Sequence, residues 1–194
     1  MSKVMLKNVR LAFPVLKTAE RFDPSNLKQD PRYSATLIFS KDNKALFKEC
    51  QDAMLAAAAA KWGDAKAAAA VKTLMAGLKV ALQDGDLKAD KYDGFENAWA
   101  ISAHAKESTP PRLLDRDKQE LPRDTSKLYA GCYVNASVEF WAQDNQFGKR
   151  INAQLRGVQF ASDGDAFGGS SSASADEFDT LEPVDMDIDD EAFV

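Results

Sequence analysis

The stretch that decides the fold is LYAGCYVNASVEFWAQDNQFGKRINAQLRGVQFA, residues 128–161. From Leu128 to Gln143 it alternates: Val134, Ala136, Val138 and Phe140 point one way, and Tyr133, Asn135, Ser137, Glu139 and Trp141 the other. A period of two over this length is the signature of a strand with one face in a core. Asp144-Asn145-Gln146-Phe147-Gly148 makes the turn, and Lys149 to Ala161 returns as the second arm of a hairpin. On that arm the apolar set Ile151, Ala153, Leu155 shifts phase after Gly157 to Val158 and Phe160. A glycine bulge in a strongly curved sheet has this effect, so the hairpin points to a small barrel rather than a flat sheet.

Working outward, Ala98–Lys106 and Arg32–Ser40 read as further strands, the latter with Tyr33, Ala35, Leu37 and Phe39 on one face. Residues 3–16 read as a first strand, bulged near Asn8 where the alternation slips, and the polar, proline-punctuated residues 17–31 as a long loop. Between them lies different chemistry. Residues 43–61 are alanine-rich with Leu46, Phe47, Cys50, Met54 and Ala57 at helical spacing, and Ser40 or Asp42 is placed to cap them. Trp62-Gly63-Asp64 interrupts, and a second helix is expected from about Ala65 to Leu82 with Val71, Leu74, Met75, Leu78 and Leu82 as its stripe. Both stripes are expected to pack on the sheet. Residues 83–97 and 107–127 read as loops. The fold class these elements point to is mainly β with α insertions: a partly open barrel spanning 1–161 with its helical insertion at about 43–82, for which the oligonucleotide-binding (OB) barrel is the natural candidate among several α+β folds.

From Ser162 the composition changes. Phe167-Gly168-Gly169 and the serines after it read as a flexible linker, and the rest as a disordered acidic tail over 162–194. No lysine or arginine follows Arg156, and residues 161–194 carry eleven acids. That leaves nineteen acids before them against all 25 basic residues, so the body is +6 and the tail −11. A basic body suggests a polyanionic ligand, and an acidic tail can compete for the same surface.

The sequence excludes much else. No apolar run is long enough for a membrane span, and the N-terminus does not read as a signal peptide. Cys50 and Cys132 stand far apart and read as buried thiols. With His104 as the single histidine, no histidine pair or histidine-based triad has its parts. His104 is read as an ordinary strand residue, with a place in a binding groove as the alternative. Asp84-Gly85-Asp86 fails the calcium-loop pattern and reads as a turn. No cofactor, metal site or enzymatic constellation is expected.

What remains suits unpaired nucleic acid: cations that follow phosphates beside aromatic rings that stack on bases. The pairs are Arg32 with Tyr33, Lys91 with Tyr92, Lys127 with Tyr129, and Phe147 with Lys149 and Arg150. The candidate contact residues are Lys7, Arg10, Arg32, Tyr33, Lys91, Tyr92, Trp99, Lys106, Tyr133, Trp141, Lys149 and Arg150. Tyr133 and Trp141, on the polar face of their strand, are each either covered by another element or kept as a stacking platform.

The runs ALQDGDLKADKYDGFENAWAISAHAKESTPPRLLD (81–115) and LYAGCYVNASVEFWAQDNQFGKRINAQLRGVQFASDGDAFGG (128–169) resemble bacteriophage single-stranded DNA-binding proteins long catalogued as a domain of unknown function. LKNVRLAFPVL (6–16) and RYSATLIF (32–39) are similar to that family's opening strands. The resemblance implies an OB-fold with helical insertions and sequence-independent binding of single-stranded DNA. It further implies a role in phage replication or recombination, in the cytoplasm of the infected bacterial host. The end of the tail, Asp189, Asp190, Glu191 and Phe193, resembles the acidic, aromatic-tipped ends of such proteins, though Phe193 is penultimate here. By that resemblance it would recruit replication or recombination proteins. A homo-oligomer is left open. The alternatives are a protein-interaction or recombination accessory factor and, third, a metal-dependent nuclease.

Overall fold

A computed structural model describes residues 2–168. Its strands are β1 (Ser2–Glu20), β2 (Arg32–Ser40), β3 (Leu82–Asp84), β4 (Ala98–Lys106), β5 (Arg112–Leu114), β6 (Tyr133–Asn145) and β7 (Gly148–Ser162). They form one sheet in the order β3-β4-β2-β1-β6-β7-β5. It closes on itself where β4 meets β7 in parallel, Ala103 opposite Ala153 and His104 opposite Gln154. The closed ring β1-β2-β4-β7-β6 is a five-stranded barrel, with β3 and β5 as short additions at its margins.

The β6–β7 hairpin is as its alternation demands: Val134, Ala136, Val138 and Phe140 are wholly buried in the barrel. Ser137 pairs with Gly157 but Val138 with Leu155, so Arg156 and Gly157 hold the bulge. β1 is long because it serves two partners. Its first half pairs with β6, its second with β2, and Arg10 has a register partner on each side, Tyr133 and Ile38. The bend between the halves is a bulge between Leu6 and Val9, where Asn8 takes φ 52 and its amide is satisfied by Asn135 Oδ1 at 3.0 Å. Asparagine tolerates this left-handed backbone better than most residues.

Two helices cover the barrel end. α1 (Lys44–Trp62) is capped by Asn43, whose side chain accepts from the Leu46 amide, and not by Ser40 or Asp42. Those two are bonded to each other instead. α1 buries Leu46, Cys50, Ala53, Met54, Ala57 and Ala58 against the sheet, and its alanines let α2 (Asp64–Ala76) approach closely with Ala67, Val71 and Leu74. The second helix is shorter than its stripe suggests. Gly77 ends it, Leu78 turns outward at φ 54, and Val80 and Leu82 belong to β-structure against Ile151 and Ile101. A helical i, i+4 spacing and a strand's alternation both fit those leucines, and the glycine decides between them.

Asp84 caps a short 3-10 turn (Gly85–Leu87) that contains Asp86, and the two share the ammonium of Lys41 at 2.6 Å each. Gly85 has no room for a side chain, since a Cβ there would lie 2.5 Å from the Phe95 carbonyl oxygen and 2.7 Å from that of Ala98.

The folded body runs past the expected boundary at residue 161. Residues 163–168 strap back across the barrel: Tyr129 hydroxyl meets Asp163 and Gly164, the Phe167 amide donates to Ala130 O at 2.9 Å, and Arg10 donates to Asp165 O. Phe167 is thus packed, not part of a linker. The tail from residue 169, including Asp189, Asp190, Glu191 and Phe193, lies outside the described residues.

Candidate nucleic-acid interface

The register of β1, β2 and β4 fixes what their outer face offers. Residues pair across it in rows: Glu20–Arg32–Lys106, then Val15–Ser34–His104, then Ala12–Thr36–Ser102, then Arg10–Ile38–Ala100. The lower rows are covered. Phe95 and Phe167 pack over Ala12, Ile38, Ala98 and Ala100 and form a small second core. The upper rows are open, with loop 21–31 standing beside them as a wall. In OB barrels the face of the second and third barrel strands, with the adjoining first loop, is where oligonucleotides bind. Here those strands are β2 and β4.

Aromatic rings border the open half. β1 bulges again after Ala12, and Phe13 is held at φ 46 and half-exposed. A bulky residue in that region of the map is strained, and such strain persists only where the surroundings enforce it. Here it aims the ring outward against Tyr92, 4.9 Å away edge to face, with Phe95 5.9 Å below. On the wall, Phe22 is 90% exposed. Arg21 on the same wall is fixed by donating Nε to Gln29 O at 2.9 Å.

In the floor, His104 is held below the ordinary imidazole range by burial and, secondarily, by the neighbouring Arg32 charge, so its ring is neutral near pH 7. The two thiols are pushed up by burial, Cys50 to about 12 and Cys132 to about 11. They are inert packing groups.

The twelve contact residues expected from sequence divide into four groups. Arg32 and Lys106 sit on the top row of the open face, while Tyr92 meets Phe13 from an exposed loop that also carries Lys91. Trp141, Lys149 and Arg150 gather on the β6–β7 hairpin, with Trp141 39% exposed and Lys149 3.7 Å from Asp144 and over the Trp62 ring. Phe147, on the tip, is exposed as well. Lys7 is exposed on the first half of β1, away from both groups in register.

The remaining four are engaged within the fold. Tyr33 lies under the Arg123 guanidinium at 5.0 Å, and Trp99 stacks on Phe47 of α1 at 4.4 Å with the Lys41 ammonium 5.3 Å from its ring. Arg10 is sandwiched by Tyr133 and Phe167 and bonded to Gly131 O. Tyr133 is covered by Arg10 and by Gly164 of the strap. Of the two polar-face aromatics, Tyr133 is covered and Trp141 is partly exposed. Sequence reasoning missed Phe13, Phe22 and Arg21. The signal for Phe13 was the Phe13-Pro14 break in alternation; nothing local marks Phe22.

Over residues 2–193 the chain matches the model of the family described as Enterobacter phage Enc34, ssDNA-binding protein. It belongs to that family. It is 37% identical over 182 residues to putative protein p50 of Acyrthosiphon pisum secondary endosymbiont phage 1, covering 92% of this chain and 94% of that one. Among solved structures, the single-stranded DNA-binding protein from bacteriophage Enc34 in complex with ssDNA aligns with a TM-score of 0.71 at 28% identity, over 84% of this chain and 88% of that chain. The gp2.5 single-stranded DNA-binding protein of bacteriophage T7 shares the fold, with a TM-score of 0.54 at 14% identity over 94% and 99% of the two chains. The barrel with its two helices is thus similar in fold to the Enc34 protein.

Among the described residues, no group of three His, Cys, Asp or Glu side chains gathers where a metal ion could sit, and no helix is long and apolar enough to cross a membrane.

Proposed function

We propose that this protein coats single-stranded DNA without requiring a particular sequence and without catalysis, in phage DNA replication or recombination inside the infected bacterial cytoplasm. The observation that carries the reading is the open outer face of β1, β2 and β4. It carries Arg32 and Lys106 on its top row, and Phe13, Tyr92 and Phe22 border it with exposed rings. Cations there hold the phosphate backbone, while each base stacked on a ring contributes about 1–3 kcal/mol. The family and the Enc34 complex with ssDNA support the same ligand.

The β6–β7 tip, with Trp141, Phe147, Lys149 and Arg150, extends the path to a second loop of the kind OB barrels use. The acidic tail competes with DNA for the basic face and recruits replication proteins through Asp189, Asp190, Glu191 and Phe193. That part rests on its −11 charge and on its resemblance to similar tails.

The test is titration of a fluorescent oligonucleotide at two salt concentrations. Single strands should bind more tightly than duplex, the affinity should fall steeply with salt, and truncation before Asp176 should tighten it. Equal single-strand and duplex affinity would remove the central claim, and loss of the labelled strand in magnesium would favour a nuclease.

A further inference from the structure

Between α1 and α2, on their solvent side, runs a cleft of about 650 Å³. Each helix supplies one stripe at i, i+3, i+4 and i+7. The floor is apolar, made by Leu55 of α1 with Ala68, Val71 and Met75 of α2, and a lysine stands on each rim, Lys48 on α1 and Lys72 on α2. Gln51 and Asp52 complete the α1 side, Asp52 being bonded to Lys48 at 2.7 Å. We propose that this cleft docks residues 184–188 of the same chain's acidic tail, with Val184, Met186 and Ile188 on the floor and Asp185 and Asp187 between the lysine rims. The proposal does not depend on the single-strand reading; it gives the middle of the tail a resting place on the helices.

Three features lead there. The first is an apolar floor that the core does not use up. Leu55 and Met75 pack on the core from one side and remain half-buried, and Ala68 is exposed between them. The second is charge. Residues 44–76 carry five lysines against three acids, and Lys72 has no ion-pair partner among the described residues. The 26 residues after Gly168 carry nine acids and no lysine or arginine. The third is pattern and size. In Val184-Asp185-Met186-Asp187-Ile188 every second residue is apolar, so an extended segment turns three apolar side chains one way and two carboxylates the other. Lys48 and Leu55 stand seven residues apart, ~10 Å along a helix, and Val184 and Ile188 four apart, ~13 Å along an extended chain.

Other occupants fit less well. A second copy set about a two-fold axis would bring Lys48 and Lys72 against the same lysines of its partner. A phosphate backbone would suit the rims but leave the apolar floor uncovered. The tail of the same chain can reach. Sixteen residues separate Gly168 from Val184, enough for ~55 Å, more than three times the ~15 Å radius of gyration of a body this size. Such a tether holds the segment at an effective concentration of about millimolar, so even a weak site is filled. Because the rims are exposed, docking weakens as salt rises.

The chain has five methionines, of which Met75 lies in the cleft and Met186 in the segment, so methyl NMR of the full-length protein labelled on methionine reads both partners. At low salt and without DNA, the Met75 and Met186 methyls should show a nuclear Overhauser contact. Val184→Ser with Ile188→Ser, which leaves the tail's charge unchanged, should remove that contact and shift the Met75 signal. Ala68→Glu and Lys72→Glu, both at exposed helix positions, should each cut the contact and the Met75 shift about fivefold. The proposal is overturned if Met75 ignores the double-serine change, or if both helix variants, folded by circular dichroism, keep the wild-type contact. Two further results overturn it by naming another occupant. Labelled double-serine protein whose Met75 returns to the wild-type position on mixing with unlabelled wild type would assign the cleft to a second copy's tail. Double-serine protein whose Met75 shifts on adding an oligonucleotide would assign it to DNA.

Discussion

Arg10 separates two roles that a basic residue on a DNA-binding barrel can have. It is one of the residues expected to touch DNA, yet its guanidinium donates to Gly131 O at 3.2 Å and to Asp165 O, and faces the Phe167 and Tyr133 rings at 4.2 and 5.4 Å. Replacing it with lysine keeps the charge but removes the planar fork and the stacked geometry. The part-buried bond to Gly131 is worth about 1–1.5 kcal/mol and the exposed one to Asp165 less. A partly solvated ring contact adds about 0.5–1 kcal/mol, some of which lysine retains. Arg10→Lys should therefore destabilise by about 2 kcal/mol. With a urea slope of roughly 2 kcal/mol per molar for a chain of this size, the unfolding midpoint should fall by about 1 M. Arg10→Ala should fall further, yet the salt dependence of its oligonucleotide affinity should match that of wild type, because no phosphate contact is lost. If Arg10→Ala kept full stability and lowered the log–log salt slope by about 0.7, the expectation for one phosphate contact on a single strand, Arg10 would be a DNA ligand and the clamp assignment wrong.

Other outcomes follow from the same geometry. Gly131→Ala puts a Cβ onto the Asp165 carbonyl at a backbone φ of 108, so it should destabilise by about 1–3 kcal/mol and expose Asp163 and Asp165 to an aspartate-directed protease. An uncut strap would refute this. His104 sits below its ordinary value of 6.5, so the unfolded chain takes up a proton there before the native one does. Its contribution to stability is complete above pH 6.5 and is lost as the pH falls through the lower native value. His104→Phe should therefore lose less stability than wild type between pH 7.5 and 5 in urea titrations, and an equal loss would count against it. Neither Cys50 nor Cys132 should react with a thiol reagent at pH 8 in the native protein, and both should react in denaturant.

The readable parts of this fold were those whose residues alternate in sequence, even where, as in β2, both faces end up covered. β2 and β4 begin and end where their alternation does, and the phase shift at Gly157 located a bulge that the register bears out. The three-residue strands β3 and β5 were hidden because no period can be measured over so few residues. The strap at 163–168 was hidden for another reason. Asp163, Gly164, Asp165 and Gly168 have the composition of a linker, and tertiary contacts with Arg10, Tyr129 and Ala130 order them. The site was less legible than the fold. A lysine or arginine beside an aromatic reads alike whether the ring is engaged within the fold, as Tyr33 is by Arg123, or stands exposed on a loop, as Tyr92 does. The floor of the open outer face gave no linear signal, since Val15, Ser34 and His104 come from three strands and meet only in register.

The division of β1 between two partners has a consequence for how the chain is made. Its second half finds β2 within a few tens of residues, but Leu6 must wait for Ala136 and Val4 for Val138. At about 5–20 residues per second, a ribosome delivers that partner on the order of ten seconds later. Until then the nascent protein presents Val4, Leu6 and Val9 along an unpaired strand edge. The window for mispairing with a neighbouring nascent copy is therefore set by translation speed, and it closes only when the last hairpin emerges.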